Sequence, residues 1–114
     1  MAIQTATQKN TVATSYGTAA AWGACYTTAP GGTQGTEPAG GSPAYARKAL
    51  TWGSPTNGVI TATGVFDIPT GATIVGTGVH TAVTAGTYLD GNSVTSQAFA
   101  SQGTYTVTFT YTQV

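Results

Sequence analysis

Apolar and polar residues alternate along much of this chain in short runs, and turn-forming clusters separate one run from the next. The last run is the most regular. From Thr104 to Thr112, the side chains of Tyr105, Val107, Phe109 and Tyr111 fall on one face of an extended strand and five threonines fall on the other. Val59 to Ile68 places Ile60, Ala62, Phe66 and Ile68 together, and Ala72 to Val83 does the same for Val75, Val79 and Val83. Ala19 to Thr27 carries Trp22 and Tyr26, Ala44 to Trp52 carries Tyr45 and Leu50, and shorter runs at Thr87 to Leu89 and Val94 to Ala100 precede the terminal strand. Turns are expected at Pro30-Gly31-Gly32, Ser54 to Gly58, Pro69-Thr70-Gly71, Asp90-Gly91-Asn92 and Ser101-Gln102-Gly103. About seven short strands with no helical period of useful length predict an all-β fold, an antiparallel β-sandwich of jelly-roll or Ig-like variety.

Two segments stand outside the alternation. Residues 1–18 read either as an N-terminal arm that reaches a neighbouring subunit or, with Asn10 as cap, as a short helix over Thr11 to Tyr16. Residues 30–43, Pro30 to Pro43, form a long Gly/Pro-rich loop, far longer than most connections and therefore expected to be either mobile or held against something. The 114 residues are expected to make one domain.

Composition changes the picture mainly through what is missing. Charged residues are 5% of the chain, three basic against three acidic, where ordinary soluble proteins carry about 25%. Threonine, about a fifth of the residues, supplies polarity instead, together with 16 glycines. A free monomer usually keeps charge on its surface to hold neighbours apart, so this composition fits a subunit locked into an assembly. Three scattered cations cannot neutralise the phosphates that duplex binding requires, so no nucleic-acid partner is expected. The opening residues hold no apolar run of signal-peptide length, and no stretch approaches the roughly 20 apolar residues of a membrane span, so no membrane partner is expected either. With Cys25 alone and one histidine, neither an internal disulfide nor a zinc site is expected, and no cofactor is implied.

Half of the charges lie between Glu37 and Lys48. Arg47 stands among small and apolar residues on an expected strand and Glu37 in the loop before it, so an ion pair between them would pin the loop to the sheet. Arg47 could alternatively contact a neighbouring subunit. Gly40 and Gly41 suit a place where backbone approaches backbone. His80 has no nucleophile or acid at a telling spacing, Asp90-Gly91-Asn92 reads as a hairpin turn, and Asp67 reads as the solvent side of a strand end. Three acids in all leave little for a glycosidase pair. No enzyme activity is expected.

The stretch TEPAGGSPAYARKALTWG, followed by NGVITATGVFDIPTGATI and AGTYLDG, resembles a family of short virion proteins from tailed phages, especially those of actinobacteria, labelled minor capsid, head decoration or tail fibre proteins. The resemblance runs from about Cys25 to Leu89 and is most specific over Gly40-Gly41-Ser42-Pro43-Ala44-Tyr45-Ala46-Arg47. It departs at Val79-His80 and Ala85-Gly86, where an aromatic pair and a Gly-Gly turn would be expected. The resemblance implies an all-β structural subunit of a phage particle, and the family's labels differ on which part of the particle; the expected location is the virion, on the head surface, after synthesis in the host cytoplasm. Its partners would be the major capsid protein or other virion proteins, and a homotrimer is the expected oligomer. Contact candidates are Glu37, Gly40, Gly41, Tyr45 and Arg47. The alternative is a tail-fibre, receptor-binding subunit that uses exposed aromatics to hold carbohydrate.

Overall fold

The computed structural model describes every residue from Met1 to Val114. It opens with a helix, α1 (Ala6–Ala19), and continues through six strands: β1 (Trp22–Tyr26), β2 (Lys48–Ala49), β3 (Val59–Ile68), β4 (Thr73–His80), β5 (Tyr88–Ala98) and β6 (Gly103–Thr112). All pairings are antiparallel. One sheet has the order β2-β1-β4-β5 and the other is the pair β3-β6. The protein is therefore mostly β, with two unequal sheets and one short helix.

The core forms where the inner faces of the two sheets meet. Alternation in β3 buries Ile60, Ala62, Gly64, Phe66 and Ile68 and exposes the residues between them, apart from a half-buried Asp67. Phe66, Ile68, Ile74 and Cys25 are fully buried, and Phe109 of β6 meets Phe66 edge-on at 6.3 Å between ring centroids. Gly23 lets the sheets come this close, since a Cβ there would lie within about 3 Å of both the Phe109 ring and Leu50.

The amino-terminal segment is a correction. The expected short helix capped by Asn10 is a 14-residue helix capped by Thr5, whose Oγ1 accepts from the Gln8 backbone N–H. Residues 6–19 pack on their own chain and do not extend as an arm. Ala13 is buried, Gly17 lies against Ile60 and Trp52, and Tyr16 stacks on Tyr111 with 3.8 Å between ring centroids. Asn10 instead sits mid-helix and accepts a 2.7 Å hydrogen bond from the Gly58 N–H, joining α1 to the turn before β3.

Three strand expectations also change. The run from Ala44 to Trp52 contributes only Lys48–Ala49, because Tyr45 and Arg47 point their side chains at the polar cluster described below. The runs Thr87 to Leu89 and Val94 to Ala100 merge, short of Thr87, Phe99 and Ala100, into one 11-residue strand, Tyr88–Ala98, so Asp90-Gly91-Asn92 is not a hairpin turn. These residues lie opposite Thr77, Gly78 and Val79, and the strand absorbs them with register shifts on either side. Val83 does not join Val75 and Val79, since β4 stops at His80 and leaves Val83 exposed on the following turn.

Candidate functional site

The long loop is tied down by one buried polar cluster. Arg47, 9% exposed, directs its whole guanidinium inward. Nε donates to Glu37 Oε1 at 3.1 Å and Oε2 at 3.3 Å, and Nη2 donates to Oε2 at 2.9 Å. The remaining nitrogen, Nη1, donates to the carbonyls of Ala82 and Ala85, both at 2.9 Å. One side chain thus joins the loop before β2 to the turn after β4. In that turn Ala85 has φ 54° and Gly86 φ 69°, and Ala85 stands where the resemblance leads one to expect glycine.

Tyr45 extends the cluster to the sheet edge. β2 pairs with β1 only at Trp22 and Gly23, and beyond that point the Tyr45 hydroxyl takes the place of the missing strand. It accepts from the Cys25 N–H at 3.0 Å and donates to Glu37 Oε1 at 2.8 Å. Burial is the largest single influence on Glu37 and opposes its ionisation. The hydrogen bonds from Arg47 and Tyr45 with the Arg47 charge outweigh it, holding the carboxyl below its usual range. Hydrogen bonding to Glu37 correspondingly raises Arg47.

Beside this pair lies an aromatic group that the chain's pattern did not reveal. Tyr26 and His80 are fully buried, and the Tyr26 hydroxyl shares a hydrogen bond with His80 Nε2. Tyr88 packs on both rings and donates to the Gly31 carbonyl at 2.8 Å. The Tyr26 ring lies along the sheet because Gly78 has no side chain; a Cβ there would run into its hydroxyl and Cε2. Two glycines at alternate positions of a strand, Gly76 and Gly78, were the available sign that something flat covers that face. Burial and then Arg47 lower the His80 pKa, with Glu37 opposing, and Nδ1 has no partner. The imidazole is thus enclosed, packed against Tyr26 and Tyr88 with no exposed surface.

The other candidates are dispersed. Gly40 and Gly41 adopt φ 87° and 96° in an exposed turn, where Gln102 accepts from the Ser42 N–H and donates to the Pro43 carbonyl. That arrangement attaches the loop to the β5–β6 turn. Asp67 pairs with Lys48 at 3.3 Å on the surface, and Asp90 Oδ2 accepts from the Tyr16 hydroxyl at 3.4 Å. With Glu37 committed to Arg47, the three acids sit in three separate places. A groove lined by Tyr16, Trp52, Val79, Asp90, Asn92 and Phe109 runs between β5 and β6.

The backbone offers a second kind of site. β6 pairs with β3 on one side over ten consecutive residues without a break; no strand is hydrogen-bonded to its other side, where Thr108 and Thr110 line the groove that faces Asp90 to Asn92 of β5. β5 is likewise the outer strand of its sheet, but two register shifts interrupt its ladder. Neither β6 nor the face of β5 opposite β4 carries lysine or proline, the usual guards of a sheet edge. No protein-family model, curated protein or solved structure gives a significant match to the chain.

Proposed function

We propose that this chain is a non-enzymatic structural subunit of a tailed-phage particle, a minor capsid or head decoration protein that binds the major capsid lattice. The observation that carries the reading is the long, uncharged, unguarded edge of β6 in a protein with so few charges, because such an edge persists in water only when other protein covers it. The family resemblance of residues 25–89 supplies the virion context. A sandwich of two unequal antiparallel sheets, pinned by a buried ion pair, suits a rigid building element, and the jelly-roll or Ig-like type is the finer assignment we propose for it. The loop turn at Gly40 and Gly41 is the second contact element, exposed yet anchored by Gln102. No helix is long and apolar enough to cross a membrane.

Gold-labelled antibody against a tag after Val114, applied to intact particles, tests the assignment. Label distributed over the head surface is the expected result, and particles free of both label and chain would end it. The second reading, a tail-fibre subunit that holds carbohydrate, draws on the groove carrying Tyr16 and Trp52 beside Asp90. It predicts label at the fibre tip and retention on cell-wall glycans that Trp52→Ala abolishes.

A further inference from the structure

The unpaired side of β6 consists of threonine backbone. The Gln113 N–H donates to the Gly58 carbonyl directly across the ladder, at 2.9 Å, so the N–H and C=O groups of Tyr111, Phe109, Val107 and Tyr105 also point at β3. Those of Thr104, Thr106, Thr108, Thr110 and Thr112 point away from it. The opposite side of the pair agrees: Thr61, across from Thr110, turns its carbonyl outward and accepts from the Gly53 N–H. All five threonines are exposed, and their outward groups have no backbone partner.

Around Thr108 this strand reads nearly the same in both directions. Val107 and Phe109 flank it, then Thr106 and Thr110, Tyr105 and Tyr111, Thr104 and Thr112. We propose that β6 is a self-recognition edge, pairing antiparallel with β6 of a second copy about a two-fold axis at Thr108 and joining two β3-β6 pairs into one four-stranded sheet. In that register Thr108 faces its own counterpart, Thr106 faces Thr110 and Thr104 faces Thr112, and each of the five threonines exchanges both backbone hydrogen bonds. On the core side Val107 meets Phe109 and Tyr105 meets Tyr111 at the positions where opposed side chains lie closest. Val107, Tyr105 and Tyr111 are only half-buried in the single chain, so the second strand removes more of their apolar surface from water. No charge on β6 opposes its copy.

The contrast with β5 makes β6 the specific edge. β5 carries Asp90, and irregular pairing at Ile74/Gly76 and Val79/His80 bends its ladder, whereas β6 is regular throughout. An isologous edge closes on itself, so it yields a dimer and no fibre. It is a two-fold device, unlike the threefold closure that the resemblance to phage virion proteins leads one to expect. The inference shares the β6 edge with the virion reading and names a second copy as what covers it, so the tests separate the two: a dimer with no label on particles would keep the inference and remove the virion reading.

Cysteine pairs read the register and sedimentation reads the association. Under mild oxidation Thr108→Cys forms a covalent dimer, Thr104→Cys alone does not, and the double variant Thr104→Cys with Thr112→Cys does, because only those positions face one another across the axis. Thr108→Pro deletes an N–H that the single chain does not use, so it still unfolds in a cooperative urea transition, and it sediments as a monomer. Thr108→Lys keeps the N–H but opposes two ammonium groups, and also sediments as a monomer. Wild-type protein that sediments as a monomer at high concentration would overturn the inference. So would equal cross-linking of Thr104→Cys and Thr108→Cys, or a Lys variant that folds and keeps the wild-type dimer mass.

Discussion

Replacing Arg47 with alanine removes five hydrogen bonds at once, three to the Glu37 carboxylate and two to the carbonyls of Ala82 and Ala85. Glu37 then retains only the Tyr45 hydroxyl, in a position where its side chain is 20% exposed, and the two carbonyls lose the donor that crossed between segments. Breaking a buried pair by deleting one partner costs about 3–5 kcal/mol, and the residual exposure of Glu37 puts the expectation at the lower end, about 3 kcal/mol. The assay is urea denaturation followed by fluorescence of Trp22 and Trp52. With an m-value of about 1.5 kcal/mol/M, the midpoint falls by about 2 M with its slope unchanged. Arg47→Met combined with Glu37→Gln removes both charges and keeps most of the volume, so its loss is smaller than the sum of the single losses by at least about 1 kcal/mol. An Arg47→Ala midpoint within about 0.5 M of wild type would refute the claim that this pair holds the loop.

Other expectations follow from neighbouring geometry. The folded-state pKa of His80 lies below its ordinary 6.5, so the stability it contributes is present above that value and is lost as pH falls through it; Glu37 behaves likewise from 4.5 downward. Burial raises Tyr16, Tyr26 and Tyr45 above 10, so a separate loss begins as pH rises past that value. A melting curve taken at each pH should show a plateau between the two losses, and His80→Gln should remove the first acid step; an unchanged step would contradict the assignment. Gly78→Ala drives a methyl into the Tyr26 hydroxyl and the Asp90 carbonyl and should cost about 1–3 kcal/mol, while Gly31→Ala, with open space around it, should cost almost nothing in the same titration. Asn10→Ala leaves the buried Gly58 N–H without its acceptor and should cost about 1–2 kcal/mol by thermal melting. Burial and then the nearby Glu37 push the Cys25 thiol up to about 12, so a thiol reagent should label it only after urea unfolds the chain.

What could be read from the residues follows how local each signal is. β3 runs over Val59–Ile68 as its alternation predicts, and β6 differs from expectation only by starting at Gly103, because strict alternation over ten residues has no helical counterpart. The Glu37–Arg47 pair was visible for a different reason: a lone arginine among small residues needs a counter-charge, and few existed. Helix α1 was misread because its apolar positions draw no stripe and its contacts use small residues, Ala13 and Gly17. Its start nevertheless carried a signature in Thr5-Ala6-Thr7-Gln8, a capping-box spacing in front of a helix. Asp90-Gly91-Asn92 failed as a turn because pairing with Thr77 to Val79 outweighs a local preference worth little on its own. Gly76 and Gly78 hint at something flat on that face of β4, but which rings fill it is not legible, since the Tyr26–His80–Tyr88 group joins three strands and a loop across more than 50 positions of sequence separation.

The charges themselves connect the interior of the protein to its surface. Of six side-chain charges, Glu37 and Arg47 cancel in the buried cluster, and Lys48 and Asp67 cancel at 3.3 Å on the surface. That leaves Lys9 and Asp90 as side-chain charges outside those pairs, and Asp90 already accepts from Tyr16. Long-range repulsion between copies is therefore nearly absent, and nothing electrostatic keeps two β6 edges apart or sets their register. Register must then come from shape and backbone, which is what a strand symmetric about Thr108 provides: a shift by two residues would place Thr108 opposite Thr110 and leave unpaired threonines at the ends. Low charge and near-palindromic sequence thus act together, the first permitting close approach and the second selecting one arrangement among those the first would allow.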